Sequence, residues 1–147
     1  MAPKRFAIEL GYGADLHGAD MTKAAVRAVR DAVSRTCLCG LVEILGRGGF
    51  EGVLVHAEVG VPEPGAVDAA AVLEAIPIGE KTLRCVAGGL RAPGIEVPCF
   101  GPGVSDIVVA CAALTVSVTE AAGGPATGTQ PRCLADRKST RLNSSHT

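Results

Sequence analysis

The stretch MTKAAVRAVRDAVSRT, residues 21–36, limits the fold more than any other part of the chain. Val26, Val29 and Val33 recur at helical spacing with Ala25 and Ala32 beside them, while Lys23, Arg27, Arg30 and Ser34 line the opposite face. A helix with one apolar stripe needs an apolar surface to lie on. Asp20 stands where an N-cap belongs, since its short side chain can accept from the free amides of the first turn. Upstream, RFAIEL alternates: Phe6, Ile8 and Leu10 point one way, Ala7 and Glu9 the other, which is the period of a strand.

The rest of the chain supplies the surface. VLVHAEVGV reads as a second strand, with Val53, Val55, Ala57 and Val59 toward the core and His56 and Glu58 on the other side. Asp68 can cap a short helix, AAAVLEAI, that Pro77 ends. KTLRCVAG reads as a third strand. DIVVACAALTVSV is apolar at both parities, and its β-branched residues favour a central strand over a buried helix. CLCGLVEILGRGGFEG reads as a connection holding at most a short strand, and GGLRAPGIEVPCFGPG as a long loop. The order β-α-β-α-β-β predicts an α+β or α/β two-layer sandwich, a small mixed sheet with helices on one face.

The chain has 147 residues, and one domain is expected over 1–120, a flexible linker over 121–135 and a tail over 136–147. DRKSTRLNSSH, residues 136–146, resembles the frame translation of a common sequencing-library adapter, so the tail is expected to be artefactual and disordered. The whole chain carries −1; setting aside Asp136, Arg137, Lys138 and Arg141, a net +2, leaves −3. A mildly acidic body with four aromatic residues and no tryptophan lacks both the basic patch and the stacking platforms of nucleic-acid binding.

No apolar run reaches the ~18 residues of a membrane span. MAPKRF is followed by no apolar h-region, so a cytoplasmic protein is expected, with its six cysteines reduced. Cys85 and Cys111 lie in apolar runs and are expected in the core. Cys37 and Cys39 have no second C-x-x-C element to complete a zinc framework.

GYGADLHG, residues 11–18, joins the first strand to the helix and is the candidate site. Free amides at a helix start attract anions, and glycines let backbone approach a ligand. Gly11, Gly13, Gly18 and Lys23 are the candidate ligand-binding residues. Lys23 falls at the third helical position, where a cation opposes the helix dipole. A bound carboxylate or phosphate would relieve that conflict; a solvated Lys23 would cost little. Asp15 and His17 are the candidate catalytic pair, the carboxylate orienting the imidazole for acid–base work. Alternatively Asp15 closes a turn and His17 packs near the helix start. With His56, the two could instead hold a divalent metal. The spacing fits neither a dinucleotide fingerprint, since Gly18 comes five residues after Gly13, nor a P-loop, since no G-K-[ST] follows.

Gly11, Gly13, Asp15, His17 and Gly18 fit a G-x-G-x-D-x-H-G signature. With DMTKAAVRAVRDAVSR, VGVPEP and DIVVACAALTV, the chain resembles over about Arg5 to Val118 the "Lin" family of conserved hypothetical proteins, named for a Listeria reading frame. That resemblance implies no activity. Helix, VLVHAEVGVP, helix is also similar to units of the ring-opening amidohydrolases, cyanuric acid hydrolase and barbiturase, whose domains are related threefold. It implies a trimer and transfers no catalytic residue.

Two functions are therefore expected to compete. One is an enzyme or binder acting on a small anionic molecule, with hydrolase or lyase chemistry by Asp15 and His17. The other is a non-catalytic homo-oligomeric module for a metabolite or partner protein. The sequence names no cofactor.

Overall fold

The computed structural model describes residues 2–120. The expected linker and tail, and Cys133, lie outside them. A twelve-residue strand β1, Lys4–Asp15, leads into helix α1, Met21–Ser34. A short helix α2, Cys39–Glu43, precedes β2, Val53–Val61. Helix α3, Ala69–Glu74, joins β2 to β3, Glu80–Ala87. A three-residue strand β4, Leu90–Ala92, and a 3-10 turn at Pro98–Phe100 precede the long β5, Ile107–Val118. This is the expected mixed sheet with two unexpected elements: α2 within the glycine-rich connection, and β4 within the long loop.

The sheet order is β1-β5-β2-β3, with β4 added alongside β5. β5 runs antiparallel to β1, β2 and β4, and only β2 and β3 are parallel, joined by the α3 crossover. The central place of β5 explains why its sequence is apolar at both parities. Val108, Ala110, Ala112, Leu114 and Val116 are buried beneath α1; the alternate residues line the opposite face.

Both predicted caps form. Asp20 accepts from the Lys23 amide at 3.0 Å, and Asp68 from the Ala70 amide at 3.0 Å. The buried stripe of α1 is smaller than its valines suggest: Met21, Ala24, Ala25, Ala28, Val29 and Ala32 are buried, while Val26 and Val33 are half-buried.

β1 departs most from its predicted form. It does not stop at Leu10 but continues through Gly11 and Gly13 to Asp15. A bulge between Arg5 and Ala7 leaves Phe6 out of register. Phe6 packs against the core and faces Gly40 of α2, while Ile8 and Leu10, on the same parity, are left outside.

Candidate functional site

The site is a bend of five residues between β1 and α1. Gly18 has φ +96° and Ala19 φ +50°, so two successive left-handed residues turn the chain. Ala19 lacks glycine's freedom there, and a non-glycine residue in this region needs support from its surroundings. Asp15 supplies it. Its side chain, 2% exposed, accepts from the Asp20 amide at 3.0 Å and pairs through Oδ1 with Lys23 Nζ at 3.0 Å. Burial pushes the Asp15 carboxyl up in pKa. The Asp20 N–H, the Lys23 ammonium and the nearby Arg27 charge outweigh it, and the pKa ends below the ordinary carboxylate value.

Lys23 therefore meets its anion inside the protein. It opens a column of four side chains spaced four apart, three on α1 and Arg35 at its C-cap, all turned to β1. The Arg27 guanidinium donates to the Ala14 carbonyl, Asp31 accepts from the Tyr12 amide at 3.0 Å, and Arg35 donates to the Leu10 carbonyl. β1 is an edge strand, and these are backbone groups that no neighbouring strand pairs. The column covers the edge from Leu10 to Ala14. Its signal in the sequence is the spacing Lys23, Arg27, Asp31, Arg35; the helical pattern sets Lys23 and Arg27 opposite the apolar stripe and gives no sign of the roles of Asp31 and Arg35.

Gly11 and Gly13, expected at a ligand, sit under α1. A Cβ on Gly11 would stand 2.5 Å from the Ala32 nitrogen, and one on Gly13 would stand 2.6 Å from the Arg27 carbonyl carbon and overlap the Ala28 nitrogen. They are glycine so that helix and strand can touch. Only Gly18 lies in the bend, beside Asp15 Oδ2 and Val104.

His17 is half-buried. Its ring lies 4.8 Å from that of Phe100 at an angle of 38°, beneath the segment that leads into β5. Its Nδ1 is buried with no hydrogen-bond partner. Both Asp15 oxygens are engaged elsewhere, and no hydrogen bond joins Asp15 to His17, so the expected orienting pair is not formed. The expected metal triad is not assembled either. The β5 partners of Asp15 and His56, Val108 and Thr115, are seven residues apart, roughly 24 Å along a strand. Among the described residues no group of three His, Cys, Asp or Glu side chains is placed to hold a metal.

Among the described residues nothing covers the sheet face opposite α1. Three rows of side chains cross it from β1 to β3: Ile8, Thr115, His56, Thr82; Leu10, Ala113, Glu58, Arg84; Tyr12, Cys111, Gly60, Val86. Ile8, Leu10 and Tyr12 are 56%, 60% and 66% exposed. Cys111, expected in the core, lies exposed on this face, and Cys85 is half-buried against the core. His56 Nδ1 is 2.8 Å from Thr82 Oγ1, and Glu58 is 3.6 Å from Arg84. A depression of about 360 Å³ lies between Leu10 and Val86, floored by Gly60, Cys111 and Ala113. A second, apolar concavity of about 80 Å³ opens between the end of α1 and the sheet, lined by Val33, Leu38, Ile76 and Leu114. Among the described residues no helix is long and apolar enough to cross a membrane.

No curated protein matches the sequence. Among solved structures, an FtsZ-like protein of unknown function from Nostoc punctiforme is similar, with 37% sequence identity and a TM-score of 0.72. The alignment covers 80% of this chain and 98% of that one. The family model for Lin0512 matches residues 5–116, the span from β1 through most of β5. The chain belongs to the Lin0512 family of conserved hypothetical proteins.

Proposed function

We propose that the protein is a homo-oligomeric binding module whose copies associate through the bare face of the sheet. The observation that carries this reading is the line of Ile8, Leu10 and Tyr12, each more than half exposed on one strand. Contiguous apolar surface of this kind marks an association site, whereas scattered exposed side chains do not. The side chains laid along the β1 edge from Leu10 to Ala14 favour association through the face. The likeness to threefold-related amidohydrolase domains makes a trimer the expected stoichiometry. The five free cysteines of the described residues fit a reducing compartment, which supports a cytoplasmic location. Sedimentation equilibrium of the full chain tests the reading. Leu10→Glu and Tyr12→Glu each set an unpaired carboxylate into the contact, which costs several kcal/mol. Both variants should therefore associate at least about 100-fold more weakly, with unchanged far-UV circular dichroism. A monomeric wild-type protein at micromolar concentration discards the reading.

A second reading rests on a different observation, the buried and unpartnered Nδ1 of His17. It makes the bend a site for a small carboxylate or phosphate. The half-exposed Lys23 ammonium and the Gly18 backbone face the anion, His17 exchanges a proton in hydrolase or lyase chemistry, and Asp15 positions Lys23. Thermal-shift titration with acetate, malonate and inorganic phosphate tests it. An anion should raise the melting temperature of the wild type but not of His17→Ala, whose own melting temperature should stay near wild type. Absence of any shift sets this reading aside; conversion of the bound compound would separate an enzyme from a binder.

A further inference from the structure

The depression on the bare face has a polar end and an apolar floor. The floor is low because its residues are small. A Cβ on Gly60 would point to this face and stand 3.0 Å from Cys111 Sγ and 3.6 Å from the Gly88 Cα, so the Gly88 backbone and Cys111 border the floor closely on that side. Leu10 and Val86 form opposite walls, and Glu58, His56 and Thr115 form the polar end. Among the described residues Glu58 is the one formally charged side chain lining it. Its salt link to Arg84 is long at 3.6 Å, and the Arg84 side chain is 66% exposed, outside the depression. A pair this open is weak and is kept comfortable by water.

Covering the face removes that water, and a carboxylate left without donors is costly to bury. A primary ammonium supplies three donors in a compact head, enough for the Glu58 carboxylate and the Thr115 hydroxyl together. A short hydrocarbon body then lies along the small-residue floor between Leu10 and Val86. We propose that this depression is a binding site for a small primary ammonium compound with a short apolar body, enclosed when a second copy of the chain covers the face. The enclosure rests on the self-association proposed above; the choice of ligand rests on the lining.

Butylammonium and butyrate, equal in body and opposite in head charge, are the probes. The full chain is titrated with each while the backbone amides of Gly60, Gly88 and Ala113 are followed by NMR, and sedimentation is run on the same samples. Butylammonium should shift these amides saturably, and butyrate should not. Glu58→Gln should weaken binding by at least about tenfold with the rest of the spectrum unchanged. Tyr12→Glu, which disperses the copies, should weaken it as well. An associated protein in which butylammonium moves none of these amides, or in which Glu58→Gln binds as well as wild type, or in which butyrate competes equally, overturns the ligand proposal while leaving self-association standing. A monomeric wild type overturns the enclosure whichever probe it binds.

Discussion

Replacing Gly13 by alanine adds one carbon at the contact between β1 and α1. That carbon would sit 2.6 Å from the Arg27 carbonyl carbon, where ordinary contact begins at 3.4 Å, and its other close neighbours, the Ala28 nitrogen and Arg27 Cβ, are fixed to the helix and cannot swing aside. The helix must therefore retreat by about 1 Å, which forfeits a quarter to a half of the dispersion energy between the facing atoms. Overpacking of this kind costs about 3 kcal/mol. For a domain of this size that is roughly 10 °C in melting temperature. The control is Gly48→Ala, where nothing lies within 4 Å of the added carbon. The control should match wild type or melt slightly higher, because alanine restricts the unfolded chain. Calorimetry of the three proteins is the assay. If Gly13→Ala melts within 2 °C of the control, helix contact is not what requires a glycine there, and its conservation of space must serve a ligand after all.

Asp15→Asn should lower stability by about 1–3 kcal/mol near neutral pH, since the half-exposed Lys23 recovers part of the loss in water. The pH dependence has a definite sign. The native carboxyl titrates below its unfolded value, so its contribution is complete above about pH 4 and disappears as pH falls through the native value. Acid unfolding followed by circular dichroism should accordingly be shallower in Asp15→Asn than in wild type below pH 4; parallel curves would contradict the tie between Asp15 and the bend. Arg91 joins Glu63 at 2.7 Å and Asp106 at 2.9 Å. Arg91→Ala should therefore speed amide exchange across residues 93–106 without altering exchange in α1, as measured by hydrogen-exchange mass spectrometry. Phe100→Ala removes the ring over His17 and should expose its Nδ1, visible as faster modification of His17 by diethyl pyrocarbonate.

The sequence made α1, α3 and most strands legible because each helix has a cap and each strand a simple period. Asp20 and Asp68 announce α1 and α3, and the valines of β2 announce the buried parity. Where a local exception governs, the pattern misleads. Nothing in RFAIEL distinguishes Phe6 from Ile8, yet the bulge sends them to different sides. The glycines of GYGADLHG look like a ligand loop because glycine permits any close approach. Whether the approaching group is a ligand or the Ala28 and Ala32 backbone is decided by the helix laid across them. The same applies to Lys23: its position in the first turn was readable, but its partner Asp15, eight residues back across the bend, was not. Asp15 and His17 are near neighbours in sequence, but the bend assigns one to the helix start and the other to Phe100.

The column Lys23, Arg27, Asp31, Arg35 has a consequence for higher-order growth. With the flank of β1 from Leu10 to Ala14 occupied by side chains from its own helix, a strand from another molecule can be added along that stretch only by first displacing the column. Growth of the sheet from that half of its first strand is therefore resisted by the helix that follows it in the chain.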